Sequence, residues 1–250
     1  MGSKCAFPFQ RFNILTYQRA AFTLIELMFV IAVIAILVAL LLGVSTHAKV
    51  KAVGVTCLNN LHQINVATRM YAEDHNDAVV LPKKGVHGPT DYQLYKEYVK
   101  SYAGYKGLPS ALEKLFACPS DTFYWSRGNG AGSYHSPGLC AQRFTDFTSY
   151  AFNAGNRNGT NYPGIAGVRL TGVRHPAKTL LIFEAAAMAP FSWHKPQKPP
   201  NDYRLPNSMN MVTYVDGHAS YTRMYVDTNT VAEAWQINPP APYDYQWSAD

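Results

Sequence analysis

Residues 27–43 read LMFVIAVIAILVALLLG, 17 consecutive positions without a charge or a hydrogen-bonding side chain. With residues 22–26 in front, the segment reaches about the length that crosses a ~30 Å hydrocarbon layer at 1.5 Å per residue. Residues 1–21 carry Lys4, Arg11 and Arg19 and no acid. Half of the chain's formal charge of +6 therefore lies ahead of the apolar run, leaving +3 for the other 229 of the 250 residues. Positive charge before a hydrophobic segment and none within it orients the N-terminus toward the cytoplasm. The sequence pI of about 9.0 on its own would fit nucleic-acid binding. Its concentration in the leader points instead to membrane orientation, and no nucleic-acid partner is inferred.

Three kinds of segment fit such a run. A secretory signal peptide has a shorter apolar core and a small-x-small cleavage site after it, whereas here Val44-Ser45-Thr46-His47-Ala48 follows. A plain signal anchor satisfies the hydropathy. The third kind is suggested by Glu26, at the entrance of the run. A lone carboxylate entering a bilayer costs a few kcal/mol unless it finds a partner, and a mere anchor has no evident use for it.

The string Ala21-Phe22-Thr23-Leu24-Ile25-Glu26-Leu27 resembles the processing site of type IV prepilins and type II secretion pseudopilins. The resemblance implies that a dedicated prepilin peptidase cuts between Ala21 and Phe22 and N-methylates Phe22, and that Glu26 is the acid used in assembly. The family usually has Gly where Ala21 stands. It further implies self-association with other pilins or pseudopilins in a filament, contact with a secretion or pilus assembly platform, and a single pass through a bacterial inner membrane with a periplasmic head.

The chain after the run agrees. No proline occurs between Pro8 and Pro82, and only Gly43 and Gly54 interrupt the stretch between Gly2 and Gly85. This predicts one helix from about Phe22 to about His75. Val50, Val53, Cys57, Leu61, Ile64, Thr68 and Tyr71 follow 3- and 4-residue steps, a single stripe suited to packing on a head. Beyond Asp77 lie 15 of the 16 prolines and 14 of the 17 glycines, as expected of short strands and long loops. A short helix is predicted at 94–102, with strands at 149–153, 179–184, 211–215 and 219–224. The last two flank Asp216-Gly217, a hairpin signal in which both turn residues take positive φ. The expected fold is α+β and pilin-like: a long N-terminal helix, membrane-spanning in its first half, packed on a small antiparallel sheet with long loops. The expected divisions are a leader (1–21), an assembly and membrane segment (22–43), an amphipathic segment (44–76) and a periplasmic head (77–250).

The head resembles one branch of the same family, the large pseudopilin-like proteins of planctomycete- and verrucomicrobia-type bacteria. The residues carrying this are Phe116-Ala117-Cys118-Pro119-Ser120-Asp121, Ser149-Tyr150-Ala151-Phe152-Asn153, and 210–218, which end in Asp216-Gly217-His218. That branch usually places a His ten residues before the turn Asp, where this chain has Pro206; His175 and His194 are nearby in sequence.

No nucleophile elbow, zinc-protease helix, phosphate loop or dinucleotide fingerprint occurs, and no enzymatic activity is expected. The eight His residues show no paired metal-ligand spacing. No cofactor is expected, though calcium on loop oxygens stays open, since Asp121, Asp146, Asp216 and Asp227 supply carboxylates without a uniting pattern. Cys5 leaves with the leader, and Cys57, on the helix stripe, reads as a buried thiol. Cys118 and Cys140 would share the oxidising periplasm and are the candidate disulfide, although Cys118 packed beside Pro119 is equally consistent. Trp193, Trp235, Trp247 and the 239–245 stretch read either as core or as a surface for subunits or a secreted substrate. The function expected is a structural subunit of a type II secretion pseudopilus or type IV pilus-like filament. The alternative is an uncleaved membrane-anchored periplasmic domain that binds a ligand or is an enzyme.

Overall fold

The structure, a computed structural model, describes residues 22–82, 91–107, 113–122, 124–126, 133–135, 148–157, 161–188, 191–194, 205–227, 229 and 233–250, with the side chains of 41–47, 91, 124–126 and 133–135 outside that description. Helix α1 (Leu24–Asp74) opens the fold and α2 (Asp91–Val99) follows. Two short strands, β1 (Tyr124–Ser126) and β2 (Ser133–His135), pair antiparallel. The main sheet is antiparallel in the order β3 (Tyr150–Phe152), β4 (Leu180–Glu184), β5 (Met209–Tyr214) and β6 (Ala219–Arg223). The architecture is α+β and pilin-like, a long N-terminal helix followed by a small antiparallel sheet. Backbone contacts divide the chain into two units, Met1–His47 and Ala48–Asp250.

In the second unit, α1 is amphipathic because its apolar positions recur at helical spacing. Cys57, Leu61, Ile64, Thr68 and Ala72 are fully buried, whereas Val50 is exposed. The buried stripe therefore begins at Val53, not at Val50. The helix lies on β5 and the turn after it. The Asn65 amide donates to the Tyr214 carbonyl at 2.8 Å and the Arg69 guanidinium to the Val215 carbonyl at 2.6 Å. Gly54 lets the two elements approach, since a Cβ there would sit 3.3 Å from Cε of Met211. The helix ends where Asn76 and Asp77 enter positive φ and the Asp77 N–H reaches back to the Ala72 carbonyl at 2.8 Å, a closure in which Asn tolerates the left-handed position.

The strands alternate little in polarity because this side of the sheet is covered on both faces, and every residue of the edge strand β3 and of the inner strand β4 is buried. Phe183 meets Trp247 edge-on at 4.9 Å. The Asn153 amide donates to the carbonyls of Leu180 and Trp247, at 2.8 and 2.7 Å, tying the C-terminal segment beside β4. Trp193, Trp235 and Trp247 are all buried, so their role in this fold is core packing and they form no docking surface. The hairpin between β5 and β6 forms at Asp216-Gly217 with different turn geometry from the one expected. Among the two residues only Gly217 has positive φ. The Gly217 N–H donates to the Tyr214 carbonyl and the Tyr214 N–H to the His218 carbonyl, each at 3.0 Å. This is a three-residue loop whose last residue takes the left-handed position. Asp216 Oδ1 instead accepts the His218 N–H at 3.1 Å, the local role in which short acidic side chains compete with backbone pairing.

Candidate functional site

The first unit is defined by its helix start. Phe22 and Thr23 precede α1, and Thr23 acts as its N-cap, its carbonyl accepting the Leu27 N–H at 3.2 Å. The Glu26 carboxylate accepts the Thr23 N–H at 2.9 Å and the Thr23 hydroxyl at 2.8 Å, while the Glu26 N–H donates to Thr23 Oγ1 at 3.3 Å. Ser or Thr at the N-cap with Glu three residues on is the reciprocal capping box. Glu26 therefore has a use within its own chain, contrary to the reading that a simple anchor leaves it idle. The sequence signal for this role is the Thr-x-x-Glu spacing of Thr23 and Glu26, which is independent of the cost of a charge in the bilayer. Phe22 is 70% exposed, and the large apolar side chains from Leu24 to Leu40 are exposed on every face of the helix. Among the described residues no helix is long and apolar enough to cross a membrane. The described apolar side chains stop at Leu40, and those of 41–47, which continue the run, lie outside the description, as does Ala21.

A second constellation lies in the core of the head. Cys57 of α1 is joined by a disulfide to Cys118, with the two Cα atoms 5.3 Å apart, within the range such a bond requires. This corrects two expectations. The partner of Cys118 is Cys57, not Cys140, and Cys57 is not a free thiol. The chain bridges a helix to the loop packed against it, a pairing across 61 residues that cysteine counting could not order. Cys140 lies outside the described residues.

Two ionisable groups face the bridge. Glu184, at the end of β4, is fully buried, and His194 is nearly so, with Nε2 2.6 Å from Glu184 Oε1. Cys118 Sγ lies 3.6 Å from that oxygen and 3.7 Å from His194 Nε2. Each is held from behind. The Met211 N–H donates to Glu184 Oε2 at 2.9 Å, and Ser120 Oγ sits 3.2 Å from His194 Nδ1. The Cys118 N–H donates to Ser149 Oγ at 3.0 Å, and that hydroxyl donates to Asp121 at 2.7 Å. Asp121 is thus a buried acceptor in the core. Asp216 serves the hairpin, the Asp227 carboxylate accepts the Asn229 N–H at 2.8 Å, and Asp146 lies outside the described residues. Among the described residues these aspartates do not come together in a cation cluster, whereas Cys57, Cys118, Glu184 and His194 do.

Against known families, residues 17–42 match the family model described as the prokaryotic N-terminal methylation motif. The chain carries the hallmark motif of type IV prepilin- and pseudopilin-like proteins. Comparison with curated proteins and with solved structures gives no match. The methylation motif covers 26 of the 250 residues, from the end of the basic leader to just before Gly43. It contains Ala21, Phe22 and Glu26 and leaves the head to be understood from its own geometry.

Proposed function

We propose that this chain is a structural, non-enzymatic subunit of a type II secretion pseudopilus or type IV pilus-like filament. In this reading it is held in the inner membrane by residues 22–43, with the head from 77 onward in the periplasm. The observation that carries the reading is the methylation motif at residues 17–42, set on a helix that is apolar on all described faces. Such a helix has no place in water and is stable in lipid or in a bundle of copies.

Cutting the Ala21–Phe22 amide by a prepilin peptidase removes three positive charges with the leader and creates one ammonium at Phe22. That ammonium sits at the positive end of the α1 dipole, an unfavourable placement of about 0.3–1 kcal/mol. Glu26 in the first turn offsets it. N-methylation keeps the amine basic, so the charge persists. The Thr23 N–H belongs to the Phe22–Thr23 amide, so the capping box survives the cut. When helices bundle, the Glu26 carboxylate and the Phe22 ammonium of neighbouring subunits pair in an apolar setting. A mismatched subunit leaves two buried charges without partners, at a cost of several kcal/mol. The pair in this way sets axial register.

Intact mass of the chain extracted from membranes tests the first step. Loss of residues 1–21 with gain of one methyl group supports the reading. A retained Met1 favours the alternative, an uncleaved anchor carrying a periplasmic ligand-binding or enzymatic head. Filament assembly that proceeds undiminished in Glu26→Leu would remove the register role.

A further inference from the structure

The disulfide between Cys57 and Cys118 needs neither an acid nor an imidazole beside it, yet Glu184 and His194 are buried against it. One ligand atom from each of the four residues falls within 4.8 Å of the others. We propose that on reduction of the bridge these four side chains form a tetrahedral site for a thiophilic divalent cation of the zinc class, so that the head has a metal-free disulfide state and a metal-bound dithiolate state.

The donor set is two sulfurs, one imidazole nitrogen and one carboxylate oxygen. Four such ligands in a water-poor core match the borderline-soft, closed coordination of structural zinc rather than calcium or magnesium, which take oxygens. Geometry agrees. Around a tetrahedral ion with a metal–sulfur bond of ~2.3 Å and metal–nitrogen or –oxygen bonds of ~2.05 Å, sulfur lies about 3.6 Å from its nitrogen and oxygen neighbours. Cys118 Sγ is already 3.7 Å from His194 Nε2 and 3.6 Å from Glu184 Oε1. Two edges must open. The sulfurs move from bonded contact to about 3.8 Å apart, and the His194–Glu184 contact widens from 2.6 Å to about 3.3 Å.

The surroundings supply the outer contacts that metal ligands use. His194 Nδ1 faces Ser120 Oγ, which leaves Nε2 directed at the cluster, and Glu184 Oε2 is held by the Met211 N–H while Oε1 points inward. A cleft of about 550 Å³, lined by Asn60, Tyr105, Lys114 and Asp121, reaches Cys118 and gives an entry path.

The conversion balances. A dithiol passes two electrons to the Cys57–Cys118 disulfide and becomes a disulfide itself. The S–S bond breaks, the two sulfurs bind the cation as thiolates, and the two thiol protons of the reductant end in water. His194 binds through the Nε2 lone pair in the tautomer whose Nδ1–H donates to Ser120 Oγ. Glu184 binds as the carboxylate. The proposal stands on the head alone and does not depend on the filament reading.

The test uses the full chain in detergent with Cys5 and Cys140 replaced by serine, so that only the paired cysteines remain. A phosphine, which takes oxygen from water as it supplies the two electrons, reduces the bridge under anaerobic conditions, and cobalt(II) and then zinc(II) are titrated in. The expected result is one cobalt ion per reduced chain, with the visible bands of tetrahedral cobalt and a near-ultraviolet thiolate charge-transfer band. Zinc displaces it, and the oxidised chain binds neither. His194→Gln and Glu184→Gln each weaken zinc binding more than about 10-fold while their oxidised forms keep the wild-type circular dichroism. Absence of the charge-transfer band in the reduced chain, or unchanged affinity in His194→Gln, overturns the proposal. Should either variant fail to fold, the reduced parent decides alone, and a stoichiometry well below one ion per chain overturns it.

Discussion

Breaking the bridge between Cys57 and Cys118 should cost the head a large part of its stability, and the size can be worked from its position. The cross-link closes 61 residues of chain. In the chain-entropy treatment a loop of that length restricts the unfolded ensemble by about 4 kcal/mol at 25 °C, which is a large share of the 5–15 kcal/mol typical of a domain. The native state has little to regain, because Cys57 and Cys118 are already buried among α1 and the loop it packs on. Denaturant unfolding of the full chain in detergent, with a chelator present to exclude metal, measures the difference between oxidised and reduced forms. The buried indoles of Trp193, Trp235 and Trp247 are the fluorescence reporters. The reduced form should lose about 4 kcal/mol and show a larger denaturant slope, since its unfolded chain exposes more surface. Replacing both cysteines by serine should cost at least as much as reduction, because the cross-link is lost and the smaller oxygens fill the buried space less well than sulfur. A loss below about 1 kcal/mol on reduction, or non-reducing mass mapping that joins Cys118 to Cys140, refutes the reasoning.

Other substitutions probe the packing directly. Gly155→Ala places a Cβ 2.1 Å from the Pro163 carbonyl oxygen, and backbone cannot yield as a side chain does, so a loss of about 3 kcal/mol in denaturant unfolding is expected; a loss under 1 kcal/mol contradicts the close approach. Gly54→Ala meets only the flexible end of Met211 and should gain up to about 1 kcal/mol of helix propensity, whereas Gly54→Leu should cost about 1–3 kcal/mol; equal melting temperatures for the two would count against helix–sheet contact there. Burial raises the Tyr150 phenol well above its usual range, the Glu184 carboxylate adding to the effect, and burial likewise raises Tyr245. Above pH ~10 the unfolded chain then loses these protons while the folded chain keeps them, so stability is intact below that pH and falls above it by about 1.4 kcal/mol per pH unit for each tyrosine. Tyr150→Phe should flatten the slope, and stability that stays level from pH 9 to 11 would be inconsistent with buried neutral phenols.

The long helix, four strands and the hairpin position were legible in the sequence because each is a local pattern. Absence of proline with only two glycines marks α1, short apolar runs bounded by turn residues mark β3 to β6, and the structure places those strands within a residue or two of expectation. The short helix is displaced: 94–102 is expected and Asp91–Val99 forms, because past Lys100 the backbone closes in tighter three-residue bonds, the Tyr102 N–H to the Val99 carbonyl at 3.0 Å and the Ala103 N–H to the Lys100 carbonyl at 3.1 Å. The turn type was missed because Asp216 can bond the His218 N–H from right-handed geometry, so that only Gly217 needs positive φ.

The buried cluster was not legible, and the reason is physical. Its members come from α1, the loop at Cys118, the end of β4 and the segment after Phe191. Metal and redox spacing rules read ligands close in sequence on one turn or one hairpin, whereas here the sheet register decides. Antiparallel pairing puts Tyr150 opposite Glu184 and so brings the residue next to Ser149 under the loop that carries Cys118. The same register lets the Met211 N–H hold the Glu184 carboxylate from the other side. The helix stripe then fixes which turn of α1 reaches the loop, and Cys57 is the residue at that turn. The methylation motif is the opposite case. Its residues are contiguous in sequence, so a 26-residue match carries it without any help from the head. The proposed processing thus rests on a contiguous motif and the proposed metal site on topology, so the two call for separate measurements, one on mass and one on metal.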